Sequence, residues 1–274
     1  MNNRVQDKNT IISVLSNIIF APHFFPLIKL YFSDNVKIYS IPYGEQNDDE
    51  HYKHLANSDI ILVWLNIETA FSNVWNTLYS QTATEQQIID NIILSCNRLY
   101  GDLQAYKNAH VFWFIFEDYF IKHPVLLGYN YDALVDKINI ELSSTLKNNV
   151  SFIDLKRLIA EVGIVNAYDP KGKYRWNAPY SKALIEAAIK ELHKQYLIEK
   201  GITKKCLVLD CDNVLWGGIL SEDGIENLKL SGSGSGRVYQ DFQQFVLSLF
   251  YHGVILAVCS KNDLSDVLSM FREH

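Results

Sequence analysis

Apolar residues fall into short unbroken runs, separated by longer stretches in which they recur at helical spacing. Residues 11–15 are uninterrupted and rich in β-branched side chains, the pattern of a strand buried on both faces. Residues 36–41 alternate and stop at Pro42-Tyr43-Gly44, which predicts a second strand and a turn. Residues 60–65, 110–116 and 150–153 supply three more strands, the fourth dense in aromatics. Between them, residues 24–32 read as a helix after Pro22, with Phe24, Leu27, Ile28 and Tyr31 on one side. A longer amphipathic helix is expected from about Glu85 to Lys107, opened by Thr84 as its N-cap. Strands alternating with helices in this way predict an α/β domain with a mostly parallel sheet.

From Asp154 to Pro179 the chain is polar and turn-rich, with Asp169-Pro170 and Lys171-Gly172-Lys173, and reads as irregular. A helix is predicted over residues 181–200, closed by Gly201. The strand–helix pattern then restarts. This places a boundary near residue 200, between a domain of residues 1–200 and one of residues 201–274.

Composition narrows the function classes. Of 274 residues, 48% are hydrophobic and 20% charged, which is ordinary for a globular chain and excludes a disordered one. A formal net charge of −6 lacks the basic footprint of a nucleic-acid binder, so no such partner is expected. Cys96, Cys206, Cys211 and Cys259 form no CxxC pair, which argues against structural zinc and for reduced, buried thiols. Arg4 and Lys8 before the apolar run of residues 11–20 resemble the start of a signal peptide. Asp7 interrupts the basic segment, no cleavage site follows, and the run is too short for a bilayer. A strand, a cytoplasmic location and no membrane association are the expectation.

The most informative stretch is Cys206-Leu-Val-Leu-Asp-Cys-Asp-Asn-Val-Leu215. Four apolar residues predict a buried strand, and Asp210 and Asp212 stand at its C-terminal end, where ligands bind in open α/β sheets. Two close carboxylates repel unless a cation lies between them, and Mg²⁺ suits oxygen ligands. As an isolated Asp-x-Asp the pair also fits turn or capping residues. A second strand predicted over residues 254–259 ends in Ser260-Lys261-Asn262-Asp263, whose hydroxyl and amides can hold a phosphate oxygen. Together the two strand ends make a phosphoryl-transfer half-site. Ser231-Gly-Ser-Gly-Ser-Gly236 reads either as a phosphate loop or as a flexible connector before a helix over residues 238–251.

Asp210-Cys-Asp-Asn-Val resembles the first motif, DxDx[TV], of the haloacid dehalogenase (HAD) superfamily, and Ser260 resembles its second. The longer string Asp210-Cys-Asp-Asn-Val-Leu-Trp-Gly-Gly218, then Glu222-Asp-Gly224, then Ala257-Val-Cys-Ser-Lys-Asn-Asp263, is similar to the FkbH-like branch, HAD subfamily IIIC. The resemblance implies a partial HAD-like Rossmannoid domain behind an N-terminal SGNH-hydrolase-like three-layer α/β/α domain. In that N-terminal domain Ile18 stands where the SGNH nucleophile would be, and Ser16 has no Asp-x-x-His partner near Asp154, which implies a non-hydrolytic recognition module.

By the same resemblance Asp210 is the nucleophile, Asp212 the general acid/base and Ser260 the group that orients phosphoryl oxygens. Mg²⁺ would be held by one Asp210 oxygen and the backbone carbonyl of Asp212. Asn213, Trp216, Gly217, Gly218, Lys261 and Asn262 are expected on the substrate side. The implied activity is Mg²⁺-dependent transfer of a glyceryl unit from 1,3-bisphosphoglycerate to an acyl-carrier protein, with loss of phosphate. A phosphatase acting on a small phosphorylated metabolite is the alternative. Cys206, Cys211 and Cys259 are open as acyl acceptors or as inert packing. A HAD site also needs a later Lys and a further acidic group, whereas this sequence stops at Phe271-Arg-Glu-His274. A C-terminally truncated form that binds metal weakly and turns over slowly, or serves as a binding module, is therefore expected.

Overall fold

Five strands build the first sheet: β1 (Ile11–Ser16), β2 (Lys37–Pro42), β3 (Ile60–Trp64), β4 (His110–Phe114) and β5 (Val150–Ile153). They pair in parallel in the order β2-β1-β3-β4-β5. The structure, a computed structural model, describes residues 10–20, 24–80, 82–118, 131–146 and 149–273. Arg4, Asp7, Lys8 and Pro22 lie outside the described residues. The chain divides into two compact units between Leu197 and Ile198.

Successive side chains of a strand point to opposite faces, and here both faces are covered. Ile61, Val63, Val111 and Trp113 pack with the helices Glu85–Leu103 and Tyr131–Thr145. Ile60, Leu62, Trp64, Phe112 and Phe114 pack with the helices Phe24–Tyr31, Leu155–Val162 and Lys182–Glu199. The result is the three-layer α/β arrangement that the apolar runs predict. Each buried aliphatic side chain contributes about 1.5–3 kcal/mol to such a core. β2 is an edge strand, which is why it can end in Pro42, a residue without an N–H for a further ladder bond.

Thr84 opens the long helix through a reciprocal cap. Its hydroxyl accepts from Gln87 N at 3.3 Å, and Gln87 Oε1 accepts from Thr84 N at 2.8 Å. The helix stops at Leu103, short of the expected end near residue 107. The stretch from Asp154 to Pro179 is corrected more strongly, because it contains the helices Leu155–Val162, Ile164–Ala167 and Pro170–Trp176. The residues read as turn signals are helix starts. Asp154 accepts from Arg157 N, Asp169 accepts from Gly172 N, and Pro170 takes the first helical position.

The second unit pairs β6 (Cys206–Leu209) with β7 (Ile255–Val258), again in parallel. The helices Arg237–Tyr251 and Leu264–Glu273 supply Val246, Val267 and Met270 to a small core with Leu209, Cys211, Leu215, Trp216 and Leu220. Both strands were expected to be buried, but Val208 is 60% exposed and Ile255 64%. Leu207, Leu209 and Leu256 pack into that core, whereas Cys206, Val208 and Ile255 are exposed. The thiols are corrected by half: Cys96 and Cys211 are buried, Cys206 and Cys259 exposed. Gly234–Gly236 is one tight turn feeding the helix Arg237–Tyr251. A Cβ at Gly236 would lie 2.6 Å from Ser231 N, so the serine–glycine run is a close-packed turn at this point and not a free linker. Among the described residues no helix is long and apolar enough to cross a membrane.

Candidate active site

The chain leaves β6 through a turn in which Val214 N and Leu215 N both donate to Cys211 O, at 3.2 and 2.8 Å. Asn213 adopts φ 56°, a left-handed conformation that asparagine tolerates, and its Oδ1 accepts from Gly218 N at 3.0 Å. Gln243, from the helix Arg237–Tyr251, donates to Leu215 O at 2.7 Å and ties the turn to the core. Asp210 is exposed. Its Oδ1 accepts from the adjacent Cys211 N at 2.7 Å, and its Oδ2 has no partner among the described residues.

Asp212 is held much more tightly. Its Oδ1 accepts from Trp216 Nε1 at 3.0 Å and from Leu220 N at 3.2 Å. Its Oδ2 accepts from Asn262 Nδ2 at 2.9 Å. β7 brings the third group to the same place. Leu209 pairs with Val258, and Cys259 N donates to Leu209 O at 2.8 Å, so Ser260 emerges level with Cys211. Ser260 Oγ accepts from Asn262 N and from Asn262 Nδ2, both at 3.2 Å. Asn262 therefore joins Asp212 to Ser260 across the two strand ends.

Several residues expected on the substrate side have other work. Trp216 is only 1% exposed; its indole N–H belongs to Asp212 and its ring packs edge-on to Phe271. Asn213 is taken up by Gly218 N. Gly217 is buried and exchanges backbone hydrogen bonds with Lys229 at 3.1 and 2.8 Å. A Cβ on Gly217 would meet the Tyr239 ring at 2.6 Å, and Gly218 sits at φ 113°, so both glycines are needed by the backbone. Lys261 is exposed and remains available to a ligand. Burial pushes the Cys211 thiol up, and the negative charges of Asp210 and Asp212 add to this, against the Ser260 hydroxyl, which works the other way. Cys211 is thus kept as a neutral thiol, while Cys259 is exposed one register step from it, level with Asp210.

In the first unit the crossover direction reverses between β1 and β3, the usual ligand crevice of such sheets. There Ser16 Oγ donates to Trp64 O at 2.6 Å and accepts from Ile18 N at 3.2 Å. Asn17 bonds Asn66 N, Asn66 O and Thr69 Oγ1, and Thr69 donates in turn to Asn66 Oδ1. Just beyond β4, buried Glu117 accepts from Tyr168 OH at 2.7 Å and Tyr180 OH at 3.2 Å. Neither network is evident from the sequence pattern; the available signal for the second was one acid directly after a run of buried aromatics. Elsewhere Glu45, Asp48 and His51 place one donor atom each within 4.8 Å of one another, an exposed arrangement that surface acids commonly form without an ion.

No protein-family model matches the chain, and no curated protein sequence matches it. Among solved structures it resembles the N-terminal part of the protein BF1531 from Bacteroides fragilis, which contains a phosphatase domain and was crystallised with Mg. The identity is 21% and the TM-score 0.74, over 97% of this chain and 72% of that one. At this identity the likeness is one of fold. A lipase from a goat rumen metagenome aligns with 68% of this chain and 97% of its own at 13% identity and a TM-score of 0.46.

Proposed function

We propose that the second unit carries a Mg²⁺-dependent phosphoryl-transfer site with Asp210 as nucleophile, Asp212 as general acid/base and Ser260 as the phosphoryl clamp. The observation that carries this reading is the convergence of Asp212, Asn262 and Ser260 at two adjacent strand ends, beside an Asp210 oxygen with no partner among the described residues. The likeness in fold to a chain with a Mg-bound phosphatase domain supports it. The donor set fits the ion: an exposed carboxylate with a free oxygen, together with the backbone carbonyl of Asp212, offers the hard oxygen ligands that Mg²⁺ takes. When bound, the ion would neutralise charge on the transferring phosphoryl group.

The chain's own groups then act in turn. An Asp210 oxygen forms a bond to phosphorus as the phosphate ester bond breaks, and the leaving oxygen takes the proton from Asp212. Water next attacks the aspartyl-phosphate, giving its proton to Asp212, and the bond between Asp210 and phosphorus breaks to release phosphate. Ser260 donates its hydroxyl hydrogen to a phosphoryl oxygen throughout.

The finer reading is transfer of a glyceryl unit from 1,3-bisphosphoglycerate to an acyl-carrier protein. A transient acyl acceptor on this chain would need an accessible thiol, a condition that exposed Cys206 and Cys259 meet and buried Cys211 does not. The first unit serves as a non-hydrolytic recognition module, because the Ser16 hydroxyl is taken up by backbone and Ile18 offers no attacking atom. The test is Mg²⁺-dependent phosphate release from p-nitrophenyl phosphate, together with Mg²⁺ or Mn²⁺ binding followed directly. Asp210→Asn should abolish release and weaken metal binding. Undiminished release and metal binding in that variant would remove Asp210 from the mechanism.

A further inference from the structure

Resting on that reading, we propose that Asn262 is a positioning residue, not a substrate contact. Its side-chain amide selects Asp212 Oδ2 as the oxygen that carries the proton and fixes Ser260 as a donor.

The argument is a count of hydrogens and lone pairs. A carboxylate has two acceptor sites on each oxygen, and a primary amide has two hydrogens. Asp212 Oδ1 takes N–H groups from Trp216 and Leu220, which fills it. Among the described residues Asp212 Oδ2 takes only the Asn262 amide, which leaves one site on that oxygen for a proton. The second hydrogen of the same amide goes to Ser260 Oγ, which also accepts from Asn262 N. With both acceptor sites of Ser260 occupied, its hydroxyl can act only as a donor, toward the Cys211 thiol here and toward a phosphoryl oxygen when a phosphate is bound. The orientation of the amide is chemically determined: turned over, Oδ1 of Asn262 would face the Asp212 carboxylate, acceptor against acceptor. Trp216 performs the matching task on Oδ1. Neither residue needs to touch the phosphate ester to decide where the proton sits.

A general acid matters most when the leaving oxygen is a poor leaving group, and this gives a readout that a purely structural role would not move. Asn262→Ala should lower kcat/KM, which reports the step in which the leaving oxygen departs, about 10²-fold more for a simple alkyl phosphate than for p-nitrophenyl phosphate, the lower range for general acid catalysis. Trp216→Phe, which keeps an aromatic ring in the core but removes the N–H, should show the same split and carries the test if the alanine variant does not fold. Equal losses on both substrates would overturn the proposal. A second readout needs no turnover. In ¹⁵N-resolved NMR spectra both side-chain hydrogens of Asn262 should exchange slowly, with Asp212→Ala releasing one and Ser260→Ala the other. An Asn262 amide that exchanges as fast as an exposed one would refute the clamp even if phosphate is released. A protected amide in a chain that releases no phosphate would leave the clamp standing and overturn the phosphoryl-transfer reading instead.

Discussion

Replacing Glu117 with leucine should destabilise the first unit by about 2–6 kcal/mol, taking about 1–3 kcal/mol for each buried donor that loses its acceptor. The carboxylate is 4% exposed and accepts from Tyr168 OH at 2.7 Å and Tyr180 OH at 3.2 Å. Both tyrosines are buried, at 7% and 4% exposure, so water cannot readily replace the lost partner. Leucine is of similar size, so the cost is electrostatic and not a cavity. Glutamine should cost about 1 kcal/mol, because it keeps one acceptor oxygen and can donate to the second phenol. Removing all three polar ends in Glu117→Leu/Tyr168→Phe/Tyr180→Phe should recover part of the loss, since the Trp64 and Asn66 side chains also meet the Tyr180 hydroxyl. Urea unfolding followed by tryptophan fluorescence measures this, since Trp64 stacks on Tyr180 with ring centroids 5.3 Å apart. A leucine variant within about 0.5 kcal/mol of wild type, or a triple variant no better than the single, would refute the reasoning.

The same tyrosines set an alkaline limit. Burial first, and then the Glu117 charge, raises both phenol pKa values above the ordinary 10.0. Above pH ~10 the unfolded chain loses protons that the folded one keeps, so stability should fall by about 1.4 kcal/mol per pH unit per tyrosine. Tyr168→Phe/Tyr180→Phe should flatten that decline in an unfolding series from pH 9 to pH 11, as ~2 pH units span the onset. Thr84→Ala removes half of the reciprocal cap on the helix Glu85–Leu103 and should cost about 1 kcal/mol in the same denaturation assay. A thiol reagent should label Cys206 and Cys259 at once. Cys96 and Cys211 should wait for unfolding, as burial pushes the Cys96 thiol up to about 12.

How much of this could be read from residues alone follows from what each element buries. β3 is apolar at every position because both faces of the sheet are covered, and its limits were legible to within a residue. The helix Leu155–Val162 carries Leu155, Leu158, Ile159 and Val162 at helical spacing, a two-turn signal that the polar and turn residues around it masked. Its neighbour was hidden for a different reason: Asp169-Pro170 has the chemistry of a turn and equally that of a helix start. In the second unit, composition marked β6 and β7 as apolar but could not say whether a layer lies over each face. For the candidate site the residues were legible and their division of labour was not. Trp216 lies four positions after Asp212, close enough to bond it, yet only coordinates show that the indole turns inward to Oδ1.

The two sheets end their strands in opposite chemical conditions. At the reversal point of the first sheet, the hydroxyl hydrogens of Ser16 and Thr69 go to Trp64 O and Asn66 Oδ1, and both hydrogens of the Asn17 amide are taken up within the network. Among the described residues, neither of these hydroxyls there has a hydrogen left for a ligand. At the ends of β6 and β7 the count does not close. Among the described residues, one oxygen of Asp210 and one acceptor site on Asp212 Oδ2 remain, beside a Ser260 hydroxyl that can only donate, in the register of adjacent strands. On the proposed reading, a phosphate ester with a cation is the complement of that remainder: acceptor oxygens for the serine, an electrophilic phosphorus for Asp210, and a leaving oxygen for the proton on Asp212.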